Sequence, residues 1–200
     1  MKVTKNLLFA TLFFMVLNAC GEDEDTAFAK VEDNGTFELT TFASDVKGAR
    51  SLLVVSDSLV LVSSRHEGNV YALIDRDQDH KAEKVITIAS GLTQPNGLAL
   101  LNADLYIAEI SRLLRIKDIA KVYDQKPKFE VLRDDFPKDT HHGWRYLRAG
   151  PDGMLYMAIG APCNICNEPD PYATIIRMDK DGKNQEVYAS GIRNSRSEEH

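Results

Sequence analysis

This sequence lacks runs of basic residues and carries little positive charge. Lysine and arginine number 24 against 30 acidic residues, and the formal net charge is −6. Such a balance argues against nucleic acid as a partner. The serine-hydrolase elbow, the phosphate-binding glycine loop and the dinucleotide fingerprint are also missing, which argues against a nicotinamide cofactor.

Helical periodicity is scarce as well, and a short piece around residues 117–123 is the one candidate helix. The 200 residues are 44% hydrophobic and 27% charged. This composition is typical of a globular protein with one sizeable core. The remaining apolar residues fall in short runs between turn residues, which favours an all-β fold.

The first residues have the pattern of an export signal. Lys2 and Lys5 precede an apolar run, Leu7 to Leu17, that is too short to span a bilayer, and Ala19-Cys20 follows. We expect a lipoprotein signal peptide over residues 1–19, a lipid on Cys20 and an acidic tether over residues 20–36. The expected location is a bacterial membrane surface, periplasmic or on the outside of the cell. Plain secretion and an uncleaved anchor are the alternatives.

From residue 37 onward the sequence repeats three short phrases. Each unit of about 44 to 56 residues holds enough apolar segments and turn residues for four short strands, the pattern of a β-propeller blade. Residues 37–200 are therefore predicted to form three to four blades of an incomplete propeller, a fragment or half of an assembly. A β-sandwich is the alternative, but it does not explain the repeats. The second phrase reads Leu59-Val60-Leu61-Val62, Leu105-Tyr106-Ile107-Ala108 and Leu155-Tyr156-Met157-Ala158.

The segment from His141 to Ile159 combines a predicted hairpin with reactive side chains. Gly150-Pro151-Asp152-Gly153 is a turn signal, and an apolar strand follows it. Two adjacent histidines, His141 and His142, stand before the hairpin. Neighbouring side chains in an extended segment point to opposite faces, so one of the two can look into a given cleft.

The segment 141–179, together with Ala189-Ser190-Gly191-Ile192-Arg193-Asn194, resembles the glucose/sorbosone dehydrogenases. These are quinoprotein sugar dehydrogenases built as six-bladed propellers around pyrroloquinoline quinone (PQQ). The resemblance covers roughly residues 37–194. It implies about three further blades, and it places most of the family's calcium ligands beyond this sequence.

The resemblance also implies roles for particular residues. His141 and Arg145 match the spacing His-x-x-x-Arg, which makes His141 the expected general base, and imidazole suits proton transfer near neutral pH. Arg193 and Asn194 match an Arg-Asn pair at the quinone, where the guanidinium would stabilise negative charge. Gln94 falls at a substrate-side position, although the following Pro-Asn-Gly is a sufficient turn signal by itself.

An acidic segment gives a second candidate site. Asp75, Asp77 and Asp79 alternate along the chain with Glu83 beyond them, and carboxylates in this pattern can converge on calcium. However, His80 stands where such a calcium-binding loop usually has glycine. An acidic hairpin tip without a metal has the same sequence pattern. Both interpretations are open.

Cys163 and Cys166 form a pair separated by two residues. Asn167 follows where a haem-attachment motif requires histidine, so haem is excluded. In an exported protein we expect a disulfide between the two thiols. Zinc bound by both cysteines with His141 or His142 is the alternative.

The functional hypothesis is a PQQ-dependent aldose or sorbosone dehydrogenase. It would oxidise a sugar at the anomeric carbon, with an external electron acceptor and a small sugar or aldehyde as partners. A calcium-dependent lactonase of the propeller type and a non-catalytic binding propeller are the alternative functions.

Overall fold

A computed structural model of the chain describes residues 39–194. The predicted signal peptide, the lipidated Cys20 and the acidic tether lie outside the described residues and stay predictions. The described part is all-β apart from one turn of helix, α1 (Ile119–Val122), within the window where the sequence predicted a helix. No helix in residues 39–194 is long and apolar enough to cross a membrane.

Twelve strands form three antiparallel sheets of four, which we call blades 1, 2 and 3. Each strand pairs with the next one in the chain, so every blade is a simple meander joined by hairpins. Blade 1 is β1 (Ala49–Ser56), β2 (Leu59–Ser64), β3 (Val70–Ile74) and β4 (Lys84–Ala89). Blade 2 is β5 (Gly97–Leu101), β6 (Asp104–Ala108), β7 (Leu113–Ile116) and β8 (Glu130–Arg133). Blade 3 is β9 (Leu147–Ala149), β10 (Leu155–Ile159), β11 (Thr174–Met178) and β12 (Glu186–Ser190).

The first strands of the blades lie side by side at the inside of the arc. β5 packs beside both β1 and β9, while β4, β8 and β12 are at the opposite edges of their sheets. All three meanders run the same way. The first strand of each blade therefore begins at one end of the arc, and the second and fourth strands end there. We call this the upper end, and the opposite one the lower end. The three blades form an arc that does not close into a ring within the described residues, which confirms the prediction of an open, propeller-like all-β fold.

Apolar side chains fill the two spaces between blades. Middle strands such as β3 and β7 are buried on both faces, as expected for strands covered on each side by a neighbour. The core between blades 1 and 2 includes Leu61, Ala72, Ile107 and Leu114, and the core between blades 2 and 3 includes Ala99, Leu155, Met157 and Ile176. The outer face of blade 1 is partly covered by Phe42, Ala43 and Val46.

The strand register corrects one detail of the repeat. In blade 2, Tyr106 pairs with Arg115, and in blade 1 the corresponding pair is Leu61 with Ala72. Leu61 therefore occupies the position of Tyr106, where the repeated phrase had placed Val60. A uniformly apolar run such as this one does not reveal its register in sequence, because a shift by one residue exchanges the two faces without changing the composition.

A polar joint adds to the apolar contact between blades 2 and 3. Tyr106 is 1% exposed, and its hydroxyl donates to the backbone oxygen of Lys180 at 3.0 Å. Burial raises the pKa of Tyr106, which keeps the phenol a neutral donor. Arg115 donates to the Asp181 carboxylate and to Glu130, each at 2.8 Å. The turn between β11 and β12 is thus held by two side chains of the preceding blade.

The same pair recurs in blade 3, which no further blade follows within residues 39–194. Tyr156 pairs with Arg177 across β10 and β11, and both line an open face. A hollow of about 710 Å³ lies there, bordered also by Arg148, Ile175 and Tyr188. Tyr188 meets Tyr156 edge to face at 5.0 Å. Since the equivalent side chains of blade 2 are covered by blade 3, this hollow has the character of a blade-packing surface.

We predict that Arg115→Met and Arg177→Met have different costs, although the two arginines are equivalent in the repeat. Arg115 is nearly buried and joins two blades, so its loss should lower the free energy of unfolding by about 1–3 kcal/mol. Arg177 makes partly exposed ion pairs within its own blade, and its loss should cost less than the loss of Arg115. Urea denaturation of the two variants measures both; equal losses would contradict the role given to the joint.

Candidate functional site

The residues predicted for the quinone site converge at the upper end of the arc. His141 and His142 lie in the loop before β9, Gln94 precedes β5, and Arg193 and Asn194 follow β12. Every one of these segments meets the blades where an inner strand begins or a fourth strand ends. The meander topology therefore brings together residues that are far apart in sequence.

Arg145 anchors the loop that carries His141 and His142, which we call the histidine loop, from its buried side. Its side chain is 1% exposed; Nε donates to the Ile110 oxygen at 3.0 Å and a terminal nitrogen donates to the Pro137 oxygen at 2.7 Å. Burial lowers the pKa of Arg145 to about 10, so the guanidinium is still charged at neutral pH. Arg145 thus holds the loop in place. It is the second residue of the predicted His-x-x-x-Arg pair, and its side chain does not reach the surface.

Asn96 joins all three blades at the upper end. Its Nδ2 donates to the Arg145 backbone oxygen at 2.9 Å, and its Oδ1 accepts from the Ser51 hydroxyl at 3.2 Å. Its own backbone oxygen accepts from the Ser63 hydroxyl at 3.0 Å, and its N–H donates to the Ala108 oxygen at 3.0 Å. The side chain is 5% exposed. One buried amide therefore fixes the relative positions of the inner strands.

Gly97 permits the close approach of β5 and β9 beside this amide. A Cβ atom at Gly97 would lie 2.6 Å from Cβ of Leu147 and 2.8 Å from the Arg145 oxygen. Any other residue would push the two inner strands apart. The Pro-Asn-Gly triplet that the sequence presented as a turn signal is thus a packing element.

A cationic and aromatic cluster surrounds Trp144. The guanidinium carbon of Arg65 lies 4.1 Å from the centroid of the indole, and that of Arg50 lies 5.5 Å from it. Both arginines come from blade 1, and within the described residues neither forms an ion pair with a carboxylate. The His142 ring is nearly parallel to the indole, with ring centroids 6.3 Å apart, and the His141 ring lies 4.1 Å from that of His142.

The two histidines differ in exposure. His141 is exposed, whereas His142 is partly buried between its neighbours and has a left-handed backbone with φ of 57°. A chain turn at Asp139–Gly143 sets this arrangement, and the Gly143 N–H donates to the Thr140 oxygen at 3.3 Å. His141 is therefore the ring that a small molecule reaches first.

Asn194 lies beside the loop that carries His141 and His142. A Cβ atom on Gly160 would be 3.1 Å from Oδ1 of Asn194 and 3.1 Å from the His142 backbone oxygen. Gly160 thus leaves room for the amide and the loop to approach each other. The neighbouring Arg193 is turned away, since it donates to the Cys163 oxygen and to Oδ1 of Asn164, each at 3.2 Å.

The structure joins Cys163 to Cys166 by a disulfide with a Cα–Cα distance of 5.8 Å. The pair closes a loop that follows β10 and lies under Arg193. Both sulfurs are used by this bond, so they are not zinc ligands.

Gln94 occupies a strained position next to a buried ion pair. Its φ is 49°, and its Oε1 is buried with no hydrogen-bond donor among the described residues. The adjacent Thr93 N–H donates to Glu109 at 2.7 Å, and Glu109, which is fully buried, is paired with Arg112. The glutamine thus presents an unused acceptor from a firmly held loop.

At the lower end, the acidic hairpin between β3 and β4 brings three carboxylates together. Oxygens of Asp75, Asp77 and Glu83 lie within 4.8 Å of one another. Asp79, which the sequence had grouped with the first two, instead accepts from the Lys81 N–H at 2.9 Å. The pKa of Asp77 is lowered by the Asp79 N–H but raised more by desolvation and by the carboxylates of Asp79 and Glu83, so the net shift is upward.

Sequence reasoning missed Arg50, Arg65 and the packing role of Asn96. Nothing near the two arginines in sequence connects them with the histidines, because they belong to a different blade. Their signal is three-dimensional, namely the position of each at the upper end of its strand. The tryptophan was visible, but its role depends on these partners.

Comparison with protein families gives one match that spans most of the chain. Residues 35–196 match the family described as "Domain of unknown function (DUF7133)". The chain belongs to this family. A relative of this DUF7133 protein, from Borreliella burgdorferi and described as "Uncharacterized protein", is 25% identical over an alignment of 200 positions that covers 94% of this chain and 50% of the relative.

Solved structures with the same fold include sugar dehydrogenases. The holo PQQ domain of a pyranose dehydrogenase from Coprinopsis cinerea matches with a TM-score of 0.62 and 15% identity, covering 75% of this chain and 40% of that structure. The PQQ-bound aldose sugar dehydrogenase of Streptomyces coelicolor matches with a TM-score of 0.59 and 23% identity, covering 78% and 54%.

A streptogramin B lyase also matches this DUF7133 protein, with a TM-score of 0.52 and 12% identity over 76% of this chain and 44% of that structure. At such identities the likeness shows a propeller fold, and it leaves the activity open. The chain spans about half the length of the relatives it matches.

We predict that Asn96→Ala lowers the free energy of unfolding of this DUF7133 protein by about 1–3 kcal/mol, because it leaves a buried carbonyl without its donor. Ser51→Ala is the comparison, since it removes one bond to the same amide from a partly exposed hydroxyl. It should cost less than about 1 kcal/mol. Urea denaturation of both variants checks this. An Asn96→Ala protein as stable as the wild type would contradict the role of Asn96 in joining the three blades.

Proposed function

We propose that this chain is part of a PQQ-dependent sugar dehydrogenase and that the upper-end cluster holds the quinone. The observation that carries the proposal is the stacking of Arg65 on Trp144 at 4.1 Å, with Arg50 behind it and two histidines beside it. The propeller fold shared with PQQ-bound dehydrogenases supports the same assignment.

The chemistry of the cluster fits the cofactor. PQQ is a flat aromatic quinone that carries carboxylates; guanidinium forks recognise carboxylates, and an indole offers a stacking surface. Nε of Arg65 is buried with no acceptor among the described residues, and Oε1 of Gln94 is buried with no donor there. Unused donors and acceptors at the same end of the arc are what a polar aromatic ligand requires.

The residues of the chain would divide the work at this site. When bound, PQQ supplies the acceptor for the hydride that leaves the anomeric carbon of the sugar. His141, the exposed ring, is positioned to take the hydroxyl proton, and His142 supports it from the Trp144 side. Asn194 would orient the ligand from beside Gly160. To stabilise negative charge on the quinone, Arg193 would first have to break its hydrogen bond to the Cys163 oxygen.

A calcium-dependent lactonase is the competing enzyme class, and it requires carboxylates that converge at the inside of the propeller. Within residues 39–194 the upper-end cluster is built from arginine, histidine, tryptophan and amide side chains. Glu109, the buried acid nearby in the fold, is neutralised by Arg112. The cluster therefore favours an anionic ligand over a cation.

The proposal extends to location and partners. With a lipid on Cys20 the domain would be exported and tethered to a membrane surface, where a small sugar or aldehyde and an external electron acceptor would be its partners. The calcium of the dehydrogenase family would be bound mainly by residues outside this sequence.

We predict that PQQ quenches the fluorescence of Trp144, which is the only tryptophan of the chain. Titration of the purified protein gives the dissociation constant directly, without turnover. Arg65→Gln should weaken binding by about tenfold or more, because a charge-assisted hydrogen bond contributes about 1.5–3 kcal/mol.

Arg177→Gln is the matched control, since it removes a guanidinium from the open face of blade 3. It should bind PQQ as tightly as the wild type. Quenching that is absent, or that both variants lose equally, would overturn the assignment of the site.

We further predict that His141→Gln lowers the rate of dye-coupled aldose oxidation by about 10²–10⁴-fold while the quenching titration is unchanged, because the ring acts on the substrate and lies outermost. His142→Gln should instead weaken quinone binding, since its ring stacks toward Trp144. Full activity in His141→Gln would show that another group is the base. Chelator-sensitive lactone hydrolysis without quenching would favour the lactonase.

A further inference from the structure

The acidic hairpin of blade 1 differs from its counterpart in blade 3 in how its buried carboxylate is satisfied. In blade 3, Oδ1 of Asp179 accepts from the N–H groups of Asp181 and Lys183, and Oδ2 accepts from the Asn184 amide. Both oxygens of that carboxylate accept from protein donors. The turn between β11 and β12 thus closes without help from an ion.

In blade 1 the carboxylate of Asp75 is more deeply buried and less well satisfied. Asp75 is 4% exposed, and its Oδ2 accepts from the His80 N–H at 3.2 Å. Its Oδ1 is buried with no donor among the described residues. A buried carboxylate oxygen without a partner is costly, and it is normally paired with a donor, a proton or a metal.

Two further carboxylates lie beside this one. Oxygens of Asp77 and Glu83 are within 4.8 Å of the Asp75 carboxylate and of each other, and both side chains are exposed. Neither forms an ion pair with a lysine or arginine of the described residues. Within residues 39–194 no ion pair neutralises these three carboxylates, and the Arg76 side chain interacts with Glu83 only through the electrostatic field.

We propose that Asp75, Asp77 and Glu83 bind a calcium ion that closes the hairpin between β3 and β4 in blade 1. The donor set is made of carboxylate oxygens only, which suits a hard cation. The exposed side of the hairpin leaves room for water to complete the six to eight ligands that calcium takes. Glu83 takes the place that the sequence pattern gave to Asp79, because the carboxylate oxygens that lie within 4.8 Å of one another belong to Asp75, Asp77 and Glu83. The site is at the lower end, away from Trp144, so it is independent of the proposed quinone site.

The ion would stabilise blade 1 by neutralising the carboxylates and by joining Asp75, the residue after β3, to Glu83, the residue before β4. Because calcium binds the folded hairpin only, stability should rise with its free concentration. At about ten times the dissociation constant, the melting temperature should rise by roughly 3 °C or more.

The test is thermal denaturation of the purified chain in calcium chloride and in EDTA, together with isothermal titration with calcium. We expect one site in the titration and a calcium-dependent rise in melting temperature for the wild type. Asp77→Asn and Glu83→Gln change exposed residues, so both proteins should fold, and both should lose most of the rise and of the binding heat.

Asp179→Asn is the matched control. It removes the carboxylate of the blade 3 hairpin that is already satisfied by N–H groups, so it should lower the melting temperature in both buffers and keep the calcium-dependent rise. A wild type that gains no stability from calcium would overturn the proposal. So would a rise that Asp77→Asn and Glu83→Gln retain in full, because the ion would then bind elsewhere.

Discussion

The buried amide of Asn96 is the interaction on which the upper end of this protein depends. It accepts from blade 1, comes directly before the first strand of blade 2 and donates to the loop before the first strand of blade 3. Blades in a propeller otherwise touch through apolar faces, which give affinity but little orientation, since apolar contact is non-directional. A single amide with a donor and an acceptor on opposite sides fixes the angle between the inner strands. The positions of Trp144 and the histidines follow from it.

Much of the fold could be predicted from the sequence, because a repeated pattern of short strands constrains architecture more than any single segment does. The four-stranded blades, the hairpin at Gly150–Gly153 and the short helix all follow from local signals. The register of blade 1 could not be predicted, since Leu59 to Val62 is apolar at every position and both faces of the strand are covered.

The candidate site could be predicted in part, and the limit has a physical cause. The histidines, Gln94 and Asn194 were predicted from a resemblance between linear sequence motifs. Arg50 and Arg65 contact Trp144 only because three inner strands begin at the same end of the arc. The acidic hairpin shows the same limit on a smaller scale. Alternation suggested Asp79, whereas the turn directs Asp79 to its own backbone and brings Glu83 to the other carboxylates.

The two ends of the arc are connected differently to the rest of the fold, and this determines how independent their functions can be. Upper-end side chains belong to loops joined by Asn96 and Arg145, so a ligand bound there contacts all three blades and its binding is coupled to their packing. The lower-end hairpin of blade 1 is held by Glu83, which accepts from the N–H groups of Arg76 and Asp77, and by the Ala82 N–H, which donates to the Phe42 oxygen. Sites without shared partners contribute to stability almost additively. The blade scaffold thus lets an acidic hairpin and a cationic cluster exist in one small protein without disturbing each other.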